Sequence, residues 1–350
     1  MSTNLETKTA APNIARKTAP ALSWRKKLCF TAALFAVLLL LGEAGIRLFE
    51  RLTNRERLYQ LDSVAGYTCK PSLVRMTKRY GQHEFHYSTD ARGFRVTAPA
   101  GAERTGKSIV LLGDSFTFGF CVNDEDSLGF ILSEETGRPV ASLSAAGYSP
   151  DIYLPLLREH LNHAAYTDRI GQVVLLICDN DFTDLTNKYK NHRPKAYFER
   201  AGEAYAERAP QIGWLDRFMD YSDLGFKIYE LVLPASKPTN VPYEETPRLM
   251  SHIVKQIQEL CDSHRLPLIP VLFEHLDKPQ VPEDMKNEFV KRCKAEGIQV
   301  DVITQELTAG VKDFHTLLAV DNWHWSRLGN EKVSHIIQRR FKESPVAKGS

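Results

Sequence analysis

Residues Lys107 to Gly119 read KSIVLLGDSFTFG. Ser108 to Leu112 is a short, continuously apolar run of the kind that forms the buried centre of a parallel sheet. The run stops at Gly113, where a residue without Cβ permits a sharp turn. Asp114 and Ser115 therefore fall just past the carboxyl end of a strand, where open α/β sheets collect their ligands and reactive groups. On its own Gly-Asp-Ser is equally a Ser/Asp turn capping a helix. The rest of the chain decides between the two.

Downstream, strands and helices alternate. Asp126–Thr136 reads as a helix closed by Gly137, Pro139–Leu143 as a strand, and Ser149-Pro150 as the capped start of a helix running to about His163. Gln172–Ile177 is a third buried strand. Thr246–His264 carries Leu249, Ile253, Ile257 and Leu260 at helical spacing. Leu266–Phe273 and Ile298–Ile303 read as the fourth and fifth strands, Pro282–Glu296 and Leu328–Phe341 as helices. Alternation over this length predicts parallel βαβ units with right-handed crossovers. Between the third strand and the next helix lies a long insertion, about 187–245, whose Tyr189, His192, Tyr197, Phe198, Trp214 and Tyr221 sit among many charges. A structureless loop of that length is improbable in a compact domain, so it is expected to fold into short elements and shape the entrance to the site.

The N-terminal end reads differently. Residues 1–24 are polar, without apolar periodicity, and are expected to be a disordered tail. Leu28–Gly42 is uncharged but spans only about 22 Å as a helix, so a membrane span needs continuation to Phe49. The polar residues in front and the lack of a small-x-small site favour an uncleaved signal anchor, residues 25–49, over a cleaved signal peptide. Six Lys/Arg residues precede the segment and four follow it closely (Arg47, Arg51, Arg55, Arg57), which places the N-terminus in the cytoplasm and the bulk of the chain outside it. Residues 50–104 form a turn-rich approach that packs on the main domain, 105–343. Within the approach, Arg92-Gly93-Phe94-Arg95 reads as a glycine turn with solvated arginines.

The 350 residues are 43% hydrophobic and 25% charged with a formal net charge of +2, a globular balance that gives no argument for nucleic acid. None of the six cysteines forms a CxxC or Cys/His zinc pattern, so no metal is expected; buried free thiols are the simplest reading, with one or two disulfides open outside the cytoplasm.

Four segments converge on one chemistry: Gly113-Asp114-Ser115; Gly147 in SLSAAGYS; Asn180 in CDND; and Asp321 with His324 in DNWHWS. The first three follow strand ends on the face where loops meet. A serine hydroxyl becomes a nucleophile when a base takes its proton, and that base works best when a carboxylate fixes its tautomer. Ser115, His324 and Asp321 supply that set. The backbone N–H groups of Ser115 and Gly147 and the Asn180 side-chain amide are donors of the kind an oxyanion needs, with Ala145 or Ala146 as alternatives to Gly147 in register. Asp114 and Asp181 read as loop-holding residues, and Cys121 as a buried thiol.

These blocks, GDSFTFG, Gly147, the Asn-Asp of CDND and DNWH, resemble in order and spacing the four signature blocks of the SGNH, or GDSL-type, hydrolases. The departure is Cys178, where the third block usually carries glycine. The resemblance covers about residues 90–342. It implies a flavodoxin-like three-layer α/β/α fold, Ser115 as nucleophile, His324 as base, Asp321 as its orienting acid, and an oxyanion hole of Ser115, Gly147 and Asn180. With the anchor, the Arg92-Gly93-Phe94-Arg95 segment and the insertion, the chain resembles the membrane-anchored, extracytoplasmic bacterial subgroup. That implies serine-dependent ester hydrolysis or O-acyl transfer on acylated envelope carbohydrate, beside envelope polysaccharide machinery and without a cofactor. A non-catalytic glycan-binding or assembly protein, and a lipid esterase at the membrane surface, are the alternatives.

Overall fold

The computed structural model describes residues 23–53, 57–163, 169–232 and 235–343. The expected disordered tail lies almost wholly outside these. The chain divides into two compact units, residues 1–45 and 46–350. Helix α1, Trp24–Thr53, runs across the boundary. Its apolar window has a mean hydropathy of 2.1 and no buried residue, so by length and composition it is a candidate membrane span.

The second unit is built on a five-stranded, all-parallel sheet. Its strands are β1 (Ser108–Gly113), β2 (Val140–Ser144), β3 (Ile170–Cys178), β4 (Leu268–Phe273) and β5 (Asp301–Val302). Their spatial order, β2-β1-β3-β4-β5, is that of a flavodoxin-like doubly wound sheet. Because β1 comes first in sequence but lies second in space, connections leave it on opposite faces, and the switch point falls at the β1/β3 boundary.

Alternate side chains of each strand enter different cores. Val110 and Leu112 of β1 join Val173, Leu175 and Ile177 of β3 on one face, beneath α3 (Pro150–Asn162), α4 (Thr246–Ser263) and α5 (Glu283–Ala295). Ile109, Leu111, Val174 and Leu176 enter the other, covered by α2 (Leu128–Thr136) and α6 (Arg327–Glu343). Burial on both faces is why β1 and β3 read as continuous apolar runs rather than alternating ones. Gly137 ends α2 with φ +66°, as its C-terminal glycine predicts.

Three local expectations are revised. Ser149 precedes α3 but does not cap it; its Oγ donates to Asp151 Oδ1 at 2.7 Å and accepts from Lys195 Nζ at 3.0 Å. Lys195 and Asp151 are both fully buried and ion-paired, so the serine is drawn into that pair instead of serving the helix end. The fifth strand pairs only over Asp301–Val302: Ile298–Val300 stay outside the ladder, and Ile303, whose N–H still donates to the Leu272 carbonyl at 2.9 Å, leads into the short helix Thr304–Thr308. The third revision concerns Arg95. The cysteines agree with their simplest reading: all six are free thiols, five of them buried.

Arg95 is 3% exposed, not solvated. Its guanidinium donates to Asp124 Oδ1 at 3.1 Å and to the carbonyls of Phe118 and Val122, each at 2.7 Å, and of Gly119. It also stacks on Tyr87 and Phe118, 4.5 and 5.0 Å from the ring centroids. A fork of five donors is what holds three carbonyls and a carboxylate at once. Gly93 is required beside it: at φ +84°, a Cβ there would lie 2.2 Å from the Cys69 carbonyl oxygen. The approach segment thus clamps the loop that follows Ser115.

The insertion folds into short elements. Asn187–Lys190 pairs with Arg193–Pro194 and Lys237–Pro238, Tyr197–Ala201 forms a hairpin with Ala204–Arg208, and two helices cover Trp214–Tyr221 and Asp223–Val232.

Candidate active site

The turn after β1 is dictated by close packing. A Cβ on Gly113 would lie 1.9 Å from Thr117 Oγ1, so glycine is needed there for space rather than for a special φ. Asp114 Oδ1 accepts from the Phe116 N–H at 2.9 Å and caps the one-turn helix Ser115–Phe118. Ser115 is the first helical residue, so its N–H has no preceding carbonyl to serve. Asp114 Oδ2 accepts from Asn180 Nδ2 at 3.3 Å, which ties the first loop to the one after β3. Burial raises the Asp114 carboxyl, against the Phe116 N–H and the two nearby histidines, which lower it.

The partner of Ser115 arrives from the loop before α6. His324 Nε2 is 2.7 Å from Ser115 Oγ, and His324 Nδ1 is 2.5 Å from Asp321 Oδ2. The three-residue spacing of Asp321 and His324 is a turn device. Asp321 Oδ1 accepts from the N–H groups of Trp323 and His324, each at 3.1 Å, and Asn322 takes φ +54°. One oxygen therefore folds the loop while the other holds the imidazole. Burial opposes ionisation of Asp321, but the His324 bonds outweigh it and hold the carboxyl down to about 2. An ionised carboxylate only accepts, so the proton of the neutral imidazole sits on Nδ1 and Nε2 is left to accept from the serine hydroxyl.

An aromatic shell fixes this geometry. Phe116 packs against His324, Phe273, Trp325 and His275, with centroids 4.9 to 5.1 Å away, and Phe120 covers His324 at 5.1 Å. Ser115 is 8% exposed.

Behind the shell lies a second Asp–His pair that the sequence reading missed. Asp179 Oδ1 bonds buried His275 Nδ1, and Asp179 Oδ2 accepts from the Gln280 N–H at 2.6 Å. The His275 ring packs at a tilt against Trp323, with centroids 3.9 Å apart. The sign of it in the sequence was a histidine two residues past β4, a strand end on the loop-bearing face. Cys178, the departure in the third block, adjoins this pair and donates to Asp179 at 3.4 Å. Asp181 instead accepts from the Cys178 N–H at 3.0 Å and from Tyr153 Oη at 3.2 Å, closing the end of β3 as a loop-holding residue.

Gly147 has φ +83°, and a Cβ there would lie within 2.9 Å of Tyr67, Lys190 and Asn191. Its N–H makes no hydrogen bond among the described residues. Among the described residues, two donor sets lie compactly enough for a cation, Cys121/Asp321/His324 and Cys178/Asp179/His275. Burial pushes both thiols up, and each histidine Nδ1 already serves a carboxylate, so both sets read as hydrogen-bonded clusters.

No protein-family model matches the chain, and no curated protein matches its sequence. Among solved structures, it is similar to a psychrotrophic esterase from Pseudoalteromonas sp. at 10% identity, covering 67% of this chain and 99% of that one with a TM-score of 0.40. It is similar to a lipase/acylhydrolase from Enterococcus faecalis at 18% identity, with 68% and 96% covered and a TM-score of 0.38. A Clostridium thermocellum family 3 carbohydrate esterase follows at 15% identity, with 67% and 94% covered and a TM-score of 0.33. Likenesses at this level carry no reading of function, which rests on the geometry of the site.

Proposed function

We propose that this chain is an SGNH-type serine esterase or O-acyltransferase, with Ser115 as nucleophile, His324 as general base and Asp321 as the orienting carboxylate. The observation that carries the reading is the continuous chain Asp321 Oδ2–His324–Ser115 Oγ, at 2.5 and 2.7 Å, at the carboxyl end of a doubly wound sheet. In this mechanism Ser115 Oγ attacks the acyl carbonyl as its proton passes to His324 Nε2, and the imidazolium is stabilised by Asp321. The oxyanion is received by the Ser115 and Gly147 N–H groups and the Asn180 amide. Its collapse breaks the ester bond, and His324 returns the proton to the leaving alkoxide. His324 then deprotonates water or a sugar hydroxyl, which attacks the acyl-serine and releases acid or a new ester.

The substrate in this reading is acylated, most simply acetylated, envelope carbohydrate. It is supported by a candidate membrane span in α1 and by basic residues concentrated in front of that span, which favour a cytoplasmic N-terminus and an extracytoplasmic site.

The test is fluorophosphonate labelling of the full chain in non-ionic detergent. Labelling of wild type that is lost in Ser115→Ala establishes an activated serine. A folded wild type that resists the probe overturns the enzyme reading in favour of a glycan-binding or assembly role. Hydrolysis of acetylated oligosaccharide and acyl transfer to an added acceptor then separate the two chemistries.

A further inference from the structure

Beside the candidate site is a cavity of about 320 Å³. Phe120, which covers His324, and Ala146, which precedes Gly147, form one wall. The remaining walls bring together the approach segment and the insertion, two parts of the chain that the triad chemistry does not use.

The charges on these walls are unequally matched. Arg57 pairs with Asp220 and Asp223 at 3.3 and 3.8 Å, and Lys227 reaches Glu50 at 4.0 Å. Arg193 and Lys78 have no ion pair among the described residues, and Glu230 is the single wall carboxylate left to face both. Arg193 is 7% exposed. Its guanidinium lies over the rings of Phe226, Tyr59 and Tyr67, at 4.3, 5.2 and 6.0 Å. Its one hydrogen bond among the described residues runs from Nη1 to the Asn191 carbonyl at 3.1 Å. Ring faces attract a cation but do not satisfy N–H donors, and a guanidinium withdrawn from water is ordinarily paired. Lys78, on the strand Met76–Tyr80, is an exposed side chain on the cavity wall. Desolvation against that wall lowers its pKa, with Glu230 opposing and Arg193 and Lys227 adding to the effect.

We propose that this cavity is an anion-binding subsite, in which Arg193 and Lys78 hold an acidic group of the substrate, a carboxylate or a phosphate, beside the reactive serine. A planar fork and a mobile point charge are together suited to an oxyanion approached from two sides. Placement of that anion on the acyl donor or acceptor rests on the esterase reading; anion binding itself does not. The expected substrate is an acidic glycan or a phosphate-bearing one, not a neutral sugar ester.

The experiment uses the full chain carrying Ser115→Ala in non-ionic detergent, so that binding is read without turnover. Trigalacturonate, glycerol phosphate and neutral maltotriose are titrated calorimetrically. The expected result is binding of an acidic probe but not of maltotriose, weakened at least about tenfold by Lys78→Met and restored by Lys78→Arg. Preference for trigalacturonate assigns a sugar carboxylate, and preference for glycerol phosphate assigns a phosphate. Equal binding of neutral and acidic probes, no binding of either acid, or unchanged affinity in Lys78→Met overturns the proposal. Failure of serine labelling in otherwise wild-type protein would instead overturn the esterase reading and leave the binding result standing.

Discussion

His324 Nε2 stands 2.7 Å from Ser115 Oγ although 209 residues separate them in the chain. β1 and its turn deliver the serine, and the loop entering α6 delivers the histidine. If the two act as one unit, Ser115→Ala and His324→Ala should each lower kcat/KM toward a small acetyl ester by about 10³-fold or more, and the double variant should be no worse than either. Losses that multiply in the double variant would separate the residues.

Asp321→Asn should lower kcat by roughly 10²- to 10⁴-fold, because an amide can present a donor to His324 and favour the wrong tautomer. The stability signature follows from the depressed carboxyl, held at about 2. A depressed acid contributes stability above its unfolded value of about 3.9, lost as pH falls through the folded value. The advantage of wild type over Asp321→Asn in thermal melts should therefore shrink between about pH 5 and pH 2. A difference that stays constant or grows on acidification contradicts this.

Asn180→Ala should lower kcat by roughly 10²- to 10³-fold with a smaller change in KM, as expected of a donor used mainly in the transition state. The variant also removes the bond to Asp114 Oδ2, so a melt must accompany the kinetics. A loss confined to KM would assign Asn180 to ground-state binding.

Arg95→Met should destabilise the domain by about 3–5 kcal/mol, because Asp124 loses its buried partner and three carbonyls lose their donor. Arg95→Lys should recover only part of this, since an ammonium cannot span the four acceptors. A melting temperature within about 2 °C of wild type in Arg95→Met would show that the loop after Ser115 is held by other contacts.

His275→Gln should leave a folded protein with slower serine labelling, since His275 supports Phe116 and Trp323, the neighbours of Ser115 and His324. Its pH profile should keep the wild-type shape, because His275 positions the loops and takes no proton from substrate. A displaced profile would give it a direct part in the chemistry.

The order of strands and helices was legible in the sequence because its causes are local. The apolar runs 108–112 and 172–177 are buried on both faces, and Gly137 ends α2 in the left-handed conformation its sequence position predicts. The same locality made the candidate site readable. Ser115 and Asn180 each open a short helix just after a strand, and His324 sits in the turn before α6, where backbone and side chain are set within a few residues.

Long-range packing decided what remained. Ser149 has the chemistry of a helix cap, but buried Lys195, 46 residues away, claims its hydroxyl. Arg95 reads as a solvated turn residue until the loop after Ser115 folds over it and presents three carbonyls and a carboxylate. The Asp179–His275 pair joins residues 96 apart, and the charged cavity exists only where the approach segment, Phe120 and the insertion meet. Periodicity and turn propensity record what a residue does to its neighbours in sequence. Whether a charge ends in water, in an ion pair or facing an open cavity depends on which distant segment arrives beside it, and that is decided by tertiary packing.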